Sequence, residues 1–555
     1  MKTGIGGDVS AISTFCAAWQ RVARGAYHRG GATAQDQFSR VAGYQVEAPA
    51  AHNRAPVRMR SLVHSPTATT PQEDADLHLE LDGQGPLHAQ LTRALRKRLQ
   101  SGVASGHRLP SSRELARALG VSRNTVVAAY EQLLAEGVIE SRAASGVFLA
   151  RRGPSEAVAP ASTERMEPQS RYARRARRFH DHARLPSHHI DGVRYRFDCS
   201  TPSANPALTT AWSRELMRAA AYTSPFNADA QGLPALRAAI CDYLVRRRGV
   251  LVTPDDVLVV NGTQQAISLT ARILLDEGDD VAIEEPHYFA IRQVLQVHGA
   301  QLQGIPVDDD GLVTDALPAS GPRLVCVTPS HQFPTGAIMS LQRRQALLDY
   351  AVEHQCWIFE DDYDGEFRYA AGALPPLRSL DGGHRVIYAG SFSKSLFPAL
   401  RLGYVVMPPS LREDFIAAKW LQDFSSPAVE QAALASFIAN GGFDRHMRRS
   451  IDALRARRAA LLEGLREHAG DRVEIANYEA GMHLLVWLRG KSRAEGDAFR
   501  ARARALGLGI PPVAPEYLSP PDRAGLLLKY AGVSVQEIRE AMPLFARCLD
   551  ELEVA

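Results

Sequence analysis

Four residues in the stretch SFSKSLFPALRLGY could act on one ligand: Ser391, Ser393, Lys394 and Arg401 follow directly on the apolar run RVIYAG. Two hydroxyls and a guanidinium suit a phosphate monoester dianion. A lysine beside such a cationic phosphate site has its neutral form favoured, which an imine-forming amine requires. Other stretches supply matching parts. VLVVNGTQQA places Gly262, Thr263 and Gln264 between a strand and a helix, where backbone N–H groups can cradle phosphate. WIFEDDYDGEF sets acidic residues at the C-terminal edge of a strand, where ligands sit in α/β sheets. A carboxylate there can keep a pyridine nitrogen protonated and make the ring an electron sink. EEPHYF offers Tyr288 as a flat partner for a ring.

A second set of residues points to a different ligand. The helix beginning at SRNT opens with Ser122, Arg123, Asn124 and Thr125, four polar side chains of which one is basic. The first turn of a recognition helix enters the major groove and reads base edges. Ser122, Asn124 and Thr125 can bond bases or phosphates, and Arg123 can take a phosphate or a guanine edge. Arg113, in the preceding helix, is placed for a backbone phosphate. A hairpin loop at Ser145 and Gly146 would form a wing against the minor groove.

These residues need elements to hold them. Leu91, Leu95 and Leu99 share one helical face that ends at Gly102. Ser111 and Glu114 have capping-box spacing, Leu115 and Leu119 face inward, and Gly120 stops the second helix. The third helix buries Val126, Tyr130, Leu133 and Leu134, and VIESR and GVFLA follow as two short strands. From about Asp198, strand-like runs starting near residues 257, 280, 323, 356, 385 and 403 alternate with helical stretches. That rhythm predicts a mainly parallel sheet covered on both faces. After about Pro427, long helices and the strands HLLVWL and GLLLKYA predict a smaller α+β lobe.

Composition bounds the setting. At 555 residues the chain exceeds what one core usually holds. Hydrophobic residues at 45% and charged residues at 23% are ordinary for a globular protein, so a fibrous or wholly disordered chain is excluded. No apolar run approaches the roughly 18–20 residues of a membrane span, and the N-terminus lacks a signal-peptide layout. The six cysteines include no C-x-x-C pair, which argues against a disulfide scaffold and structural zinc. The expectation is a cytoplasmic protein with no metal and no membrane partner. Residues 1–196 carry 28 Lys and Arg against 17 Asp and Glu, whereas residues 197–555 carry 36 against 44. A basic front and an acidic back suggest different partners, with a polyanion for the front.

The expected division is an aperiodic, disordered extension over 1–75, a winged unit over 76–150, a linker over 151–196 and a large domain over 197–555. The linker holds 11 Arg against 5 acidic residues. Met59 precedes the first periodic segment, and initiation there would leave 497 residues.

The run RLPSSRELARALGVSRNTVVAAYEQLLAEGVIESRAASGVFLA resembles the winged helix-turn-helix of GntR-type bacterial repressors, because helices, turn and wing match in order. The pieces of the second half resemble pyridoxal-phosphate enzymes of the aminotransferase fold, fold type I, over about residues 198–550. The resemblance implies pyridoxal 5'-phosphate bonded through Lys394, with Arg401, Ser391 and Ser393 on its phosphate and Gly262, Thr263 and Gln264 opposite. It further implies Asp361 on the pyridinium nitrogen, Tyr363 on the phenolic oxygen and Tyr288 stacked on the ring. Joined in one chain, the two modules resemble MocR-type transcription regulators. The stretches TPSHQFPTG and EDDYDGEFRY are similar to that family more than to free aminotransferases.

What the family implies is a homodimer on double-stranded DNA that senses pyridoxal phosphate or an amino compound. The alternative is an active aminotransferase carrying a DNA-binding appendage. Two departures bear on that choice. Phe333 stands where aminotransferases tend to carry Asn ahead of P-T-G, with His331 and Gln332 as the nearby polar groups. Near the strand GLLLKYAG the cations are Arg523 and Lys529, and neither falls in the position of the usual carboxylate-gripping arginine. A lysine lacks the bidentate fork, so the sequence does not support steady transamination of ordinary α-amino acids.

Overall fold

The computed structural model describes residues 79, 81–100, 107–142, 145–150, 169–179, 190, 192–198, 206–224, 229–369, 374–476 and 480–554. The extension over 1–75, with Met59, and the linker residues 151–168 lie outside the described residues. The chain divides into two compact units at Glu164/Arg165.

In the first unit, α1 (Leu87–Gln100) buries Leu91, Leu95 and Leu99, as their four-residue spacing predicts. Helix α2 (Ser112–Leu119) starts at Ser111, whose side chain accepts from the Glu114 N–H while Glu114 returns the bond to the Ser111 N–H. It stops at Gly120, where φ of 64° favours a residue without Cβ. Helix α3 (Arg123–Ala135) is capped by Ser122 and buries Val126, Ala129, Tyr130 and Leu133, leaving Leu134 half-buried. Strands β1 (Ile139–Arg142) and β2 (Gly146–Leu149) pair antiparallel, Ile139 opposite Leu149 and Arg142 opposite Gly146. Side chains from all five elements form one core.

The second unit begins with a helix inside the segment predicted as linker. Helix α4 (Arg171–Arg177) is capped by Ser170 and held by Glu277, whose Oε1 lies 3.1 Å from Arg171 and 2.5 Å from Arg175. The ring of Tyr172 meets His298 edge-on at 5.7 Å. Strand β3 (Tyr195–Arg196) and helices α5 (Pro206–Tyr222) and α6 (Pro234–Arg248) follow.

The central sheet contains β4 (Val257–Val260), β5 (Asp280–Glu285), β6 (Gln301–Asp308), β7 (Gly311–Leu312), β8 (Leu324–Val327), β9 (Trp357–Asp362), β10 (Val386–Ser391) and β11 (Gly403–Val406). Their spatial order is β4-β11-β10-β9-β8-β5-β6-β7. The stretch from β10 through β9, β8 and β5 to β6 is parallel, while β11 runs antiparallel to both its neighbours and β7 to β6. One face packs on α7 (Thr263–Leu274) and α8 (Phe289–His298), and the other on α9 (Leu341–Glu353) and α10 (Leu377–Leu380). Covering on both faces is why β4, β8 and β11 read as unbroken apolar runs.

The chain continues through α11 (Arg412–Asp423), α12 (Ala428–Ala439) and the long α13 (Gly442–His468). The smaller lobe has β12 (Val473–Ala476), β13 (His483–Leu488), α14 (Arg493–Ala505), β14 (Leu508–Gly509), β15 (Gly525–Lys529) and α15 (Val535–Val554). Strands β12, β13 and β15 form an antiparallel sheet, and β14 pairs with β3.

The capping box at Ser111 fixes where α2 starts and hence the turn into α3. Ser111→Ala is expected to lower the stability of the first unit by about 1 kcal/mol. Chemical denaturation should show the loss in that unit's transition, and an unchanged transition would contradict the cap's role.

Candidate cofactor site and nucleic-acid interface

The first unit sets its polar residues on the outer surface. Ser122, Arg123 and Asn124 are exposed at the start of α3, and Arg113 is exposed on α2. Ser122 Oγ accepts from the Thr125 N–H at 3.1 Å and lies 2.8 Å from Thr125 Oγ1, so both hydroxyls also serve the cap. Arg123 Nε lies 3.5 Å from Ser112 Oγ, across the turn between the helices. Ser145 and Gly146 are exposed at the hairpin turn. Sequence reasoning missed Arg108. Its backbone bridges to Phe148, and its exposed guanidinium lies against Gly146, where a Cβ would come within 3.3 Å of Nε. Its signal in the sequence was its place at the head of the run RLPSSRELARALG.

In the second unit, strand ends and helix starts bring the predicted cofactor residues together. Gly262 caps α7 with φ of 87° and no side-chain cap. A Cβ there would lie 3.3 Å from the Arg401 guanidinium, so a larger residue would crowd this turn. Arg401 itself adopts a left-handed φ of 52°, and its Nη2 donates to the Asn261 carbonyl at 2.5 Å. Across β10, Ser391 Oγ accepts from the Ser393 N–H at 3.1 Å. Lys394 follows in the same turn, half-buried. Gln264 and Arg401 are exposed towards an open cleft of about 1070 Å³ that Asn261, Asp423, Tyr172 and Phe179 also line.

Strand β9 separates two adjacent aspartates by its pleat. Asp361 shares the face of Phe359, towards α7, and its Oδ1 lies 3.5 Å from Thr263 Oγ1. Burial pushes its pKa up to about 8, helped by the charges of Asp362 and Asp364 and opposed by Thr263 and Lys394. Asp362 points the other way. Its Oδ2 takes Arg248 Nε at 2.8 Å and the Tyr388 hydroxyl at 2.5 Å. Arg248 also donates to Ser330 Oγ at 2.8 Å and to the Gly365 carbonyl at 2.9 Å. Asp362 is thus tied into the interior, while Asp361 faces Thr263 and Lys394. Arg248 lies 114 residues before Asp362, and nothing in the sequence spacing links them.

Aromatic side chains close the remaining side. Tyr288 precedes α8 and meets Phe333 edge-on at 5.7 Å. Its pKa is pushed up to about 12 by burial and by the negative charges of Glu516 and Asp361. Phe333 also packs 6.0 Å from Tyr363 and 5.1 Å from His483. His331 Nδ1 lies 2.9 Å from both Asp364 Oδ2 and the Tyr363 hydroxyl. Gln332 braces the loop, donating to Glu284 and the Pro286 carbonyl while accepting from Thr335. These bonds give His331 and Gln332 positioning roles that their sequence neighbourhood did not specify.

Of the two cations considered for a carboxylate, Arg523 pairs with Glu474 at 2.5 Å and lies over the Trp487 ring at 4.6 Å. Lys529 is buried beside His483, its cross-strand partner, and its charge opposes the rise in the Glu516 pKa.

The donor set fits a flat, phosphorylated pyridine aldehyde. The Gly262 turn and Arg401 form a cradle that a Cβ would obstruct, Lys394 supplies an amine, and Asp361 is a buried carboxyl facing that amine's side of the sheet. Among the described residues, no group of three or more His, Cys, Asp and Glu is placed to hold a metal ion. No described helix is long and apolar enough to cross a membrane.

Comparison with known proteins agrees with this division. Residues 87–149 match the bacterial regulatory proteins of the gntR family, and residues 198–542 match aminotransferase class I and II. A probable rhizopine catabolism regulatory protein, MocR, of Rhizobium meliloti is 36% identical over 84% of this chain and 94% of its own length. The pyridoxine biosynthesis transcriptional regulator PdxR of Corynebacterium glutamicum is 31% identical over 74% of this chain and 86% of its own. Among solved structures, the α-aminoadipate aminotransferase LysN of Thermus thermophilus superposes with a TM-score of 0.59 at 27% identity, covering 64% of this chain and 92% of its own. A multiple substrate aminotransferase from Thermococcus profundus gives 0.60 at 26%, covering 70% and 97%.

The raised pKa of Asp361 makes a stability prediction with a definite sign. The folded chain keeps this proton up to about pH 8, whereas the ordinary carboxyl value is 3.8. Between those values the folded state binds the extra proton, so stability falls as pH rises. Asp361→Asn removes that titration. Denaturation of cofactor-free protein at pH 5 and pH 8 should show wild type losing more stability than the variant, and equal losses would contradict the burial of this carboxyl.

Proposed function

Because the chain belongs to the MocR-type regulators, in which a gntR-family winged helix precedes an aminotransferase-like domain, we propose that it senses pyridoxal 5'-phosphate, or an amino compound bound to it, through Lys394. The observation that carries this reading is the convergence of Lys394, Arg401, the Gly262 turn and Asp361 at neighbouring strand ends. Relatives named for pyridoxine biosynthesis and for rhizopine catabolism support an effector of either kind.

Each residue has a task. Arg401, Ser391 and Ser393 bind the phosphate from one side, and Gly262, Thr263 and Gln264 present the N-terminus of α7 from the other. Tyr288 covers one face of the ring and excludes water. Asp361 shares its proton with the pyridine nitrogen, and Tyr363, held by His331, is oriented to the phenolic oxygen. Bound there, the cofactor supplies an aldehyde carbon for amines and an electron-withdrawing ring. Lys394 presents its amine to that carbon.

In the first unit, Arg123, Asn124 and Thr125 read base edges while Arg113, Ser122 and the wing at Ser145 and Gly146 hold the backbone of double-stranded DNA. A homodimer in the cytoplasm presents two such helices to two half-sites. The exposed Trp420, Leu421 and Phe424, beside the cleft at the phosphate side, support a face covered by a second copy. Arg171 and Arg175 are engaged by Glu277, which leaves fewer linker arginines for DNA phosphates than composition alone suggests.

Regulation then follows from linkage: an effector that binds one arrangement of the units more tightly shifts DNA affinity, and DNA shifts effector affinity by the same factor. The working-aminotransferase alternative is less well supported, because Arg523 is committed to Glu474.

Titration of the protein's own upstream DNA at fixed salt, with and without pyridoxal phosphate, tests the proposal. The cofactor should change wild-type affinity and leave Lys394→Ala unmoved. Arg123→Ala should weaken binding by about 1–3 kcal/mol in either condition if it makes a base contact. Equal affinity with and without cofactor in wild type would remove cofactor occupancy as the signal.

A further inference from the structure

We propose that Asp423 is a positioning residue for the phosphate cradle: it holds Asn261 so that the Asn261 carbonyl aims Arg401. The inference rests on reading Arg401 and the Gly262 turn as a phosphate site. Asp423 ends α11 and belongs to none of the motifs that mark the cofactor residues.

Three side-chain donors converge on the Asp423 carboxylate. Asp423 Oδ2 accepts from Asn261 Nδ2 at 3.0 Å and from Gln265 Nε2 at 2.7 Å. Its Oδ1 accepts from Lys419 Nζ at 2.6 Å, and the same ammonium donates to Ser426 Oγ at 3.2 Å. The Asn261 N–H donates to Gln265 Oε1 at 2.8 Å. Asn261 is therefore fixed through its side-chain amide and its backbone N–H. Its carbonyl then accepts from Arg401 Nη2 at 2.5 Å.

A plain helix-stabilising ion pair does not account for this arrangement. A carboxylate at a helix C-terminus faces the negative end of the macrodipole, and Lys ahead of Asp at four-residue spacing is the weaker order. The Lys419 side chain is 0% exposed, so the pair also bears desolvation that a surface bridge avoids. Phe424, the next residue, adopts a φ of 62°, which a bulky residue rarely takes. The local structure thus accepts several costs to point one carboxylate at Asn261. The benefit falls on Arg401, an exposed side chain that would otherwise sample many rotamers. Pinning it in advance lowers the entropy lost when a phosphate dianion arrives.

Removing Asp423 alone would strand a buried ammonium, so the test uses paired substitutions. Affinities for pyridoxal phosphate and for pyridoxal, which has the same aldehyde and ring but no phosphate, are measured by absorbance titration. Lys419→Met/Asp423→Ala should weaken pyridoxal phosphate about tenfold, the usual scale for an outer-shell partner, and leave pyridoxal within about twofold. Lys419→Met/Asp423→Asn restores an oxygen acceptor without charge and should recover most of the loss. Parallel weakening of both ligands, no change in either, or failure of the Asn variant to recover would overturn the positioning role. Arg401→Ala in parallel separates the premise from the inference. If it leaves the ratio of the two affinities unchanged, the phosphate cradle itself is misplaced. If it collapses the ratio while the Asp423 variants do not, only the role of Asp423 fails.

Discussion

Strand β9 ends in Glu360, Asp361 and Asp362, three consecutive carboxyls buried at the centre of the sheet. Burying a charge without a partner costs several kcal/mol, so the surrounding fold is arranged to answer each one. The pleat sends Glu360 and Asp362 to one side. There Glu360 accepts from the backbone N–H groups of Leu377 and Arg378 at 3.0 and 2.9 Å, and Asp362 takes Arg248 and Tyr388. Asp361 stands on the opposite face, its Oδ1 3.5 Å from Thr263 Oγ1, and burial makes it release its proton late. A carboxyl in that condition suits the proposed partner, a ligand that carries a basic nitrogen. The same strand therefore locks the interior on one face and sets Asp361 on the other.

The surroundings of Lys394 depend on that arrangement. Helix α7 starts where β4 ends, so the turn at Gly262 and the carboxyl of Asp361 share one edge of the sheet. Strand β11, antiparallel between β4 and β10, returns the chain so that Arg401 stands beside the Gly262 turn, where Gly403 pairs with Val260. The aromatic side is supplied by loops, with Phe333 set between Tyr288, Tyr363 and His483. Where an aminotransferase tends to offer a polar Asn, this chain packs a ring, and His331 with Asp364 takes over the orientation of Tyr363.

Much of this was legible from sequence because it depends on local rules. The capping box at Ser111, the stop at Gly120 and the apolar runs of the central strands all reflect short-range periodicity and backbone chemistry. The residues proposed for the cofactor were picked from motifs at strand ends, and choosing Asp361 over Asp362 required family alignment. In the structure the pleat of β9 turns the two carboxyls to opposite faces, Asp362 to Arg248 and Tyr388 and Asp361 to Thr263. What the sequence hid was long-range. Arg248 answers Asp362 from α6, and Asp423 reaches Asn261 from α11, across separations that no spacing rule connects. The helix at Arg171–Arg177 was hidden for another reason: its arginines read as linker composition, and its docking depends on Glu277 and His298 far along the chain.

The chain contains six lysines, at positions 2, 97, 394, 419, 491 and 529, which makes the central claim open to a direct chemical measurement. Protein incubated with pyridoxal phosphate can be reduced with borohydride, digested and analysed by mass spectrometry. The account predicts that the cofactor's mass is fixed at Lys394 at stoichiometric loading. Modification spread over several lysines, or concentrated on one other than Lys394, would contradict a site built around that residue.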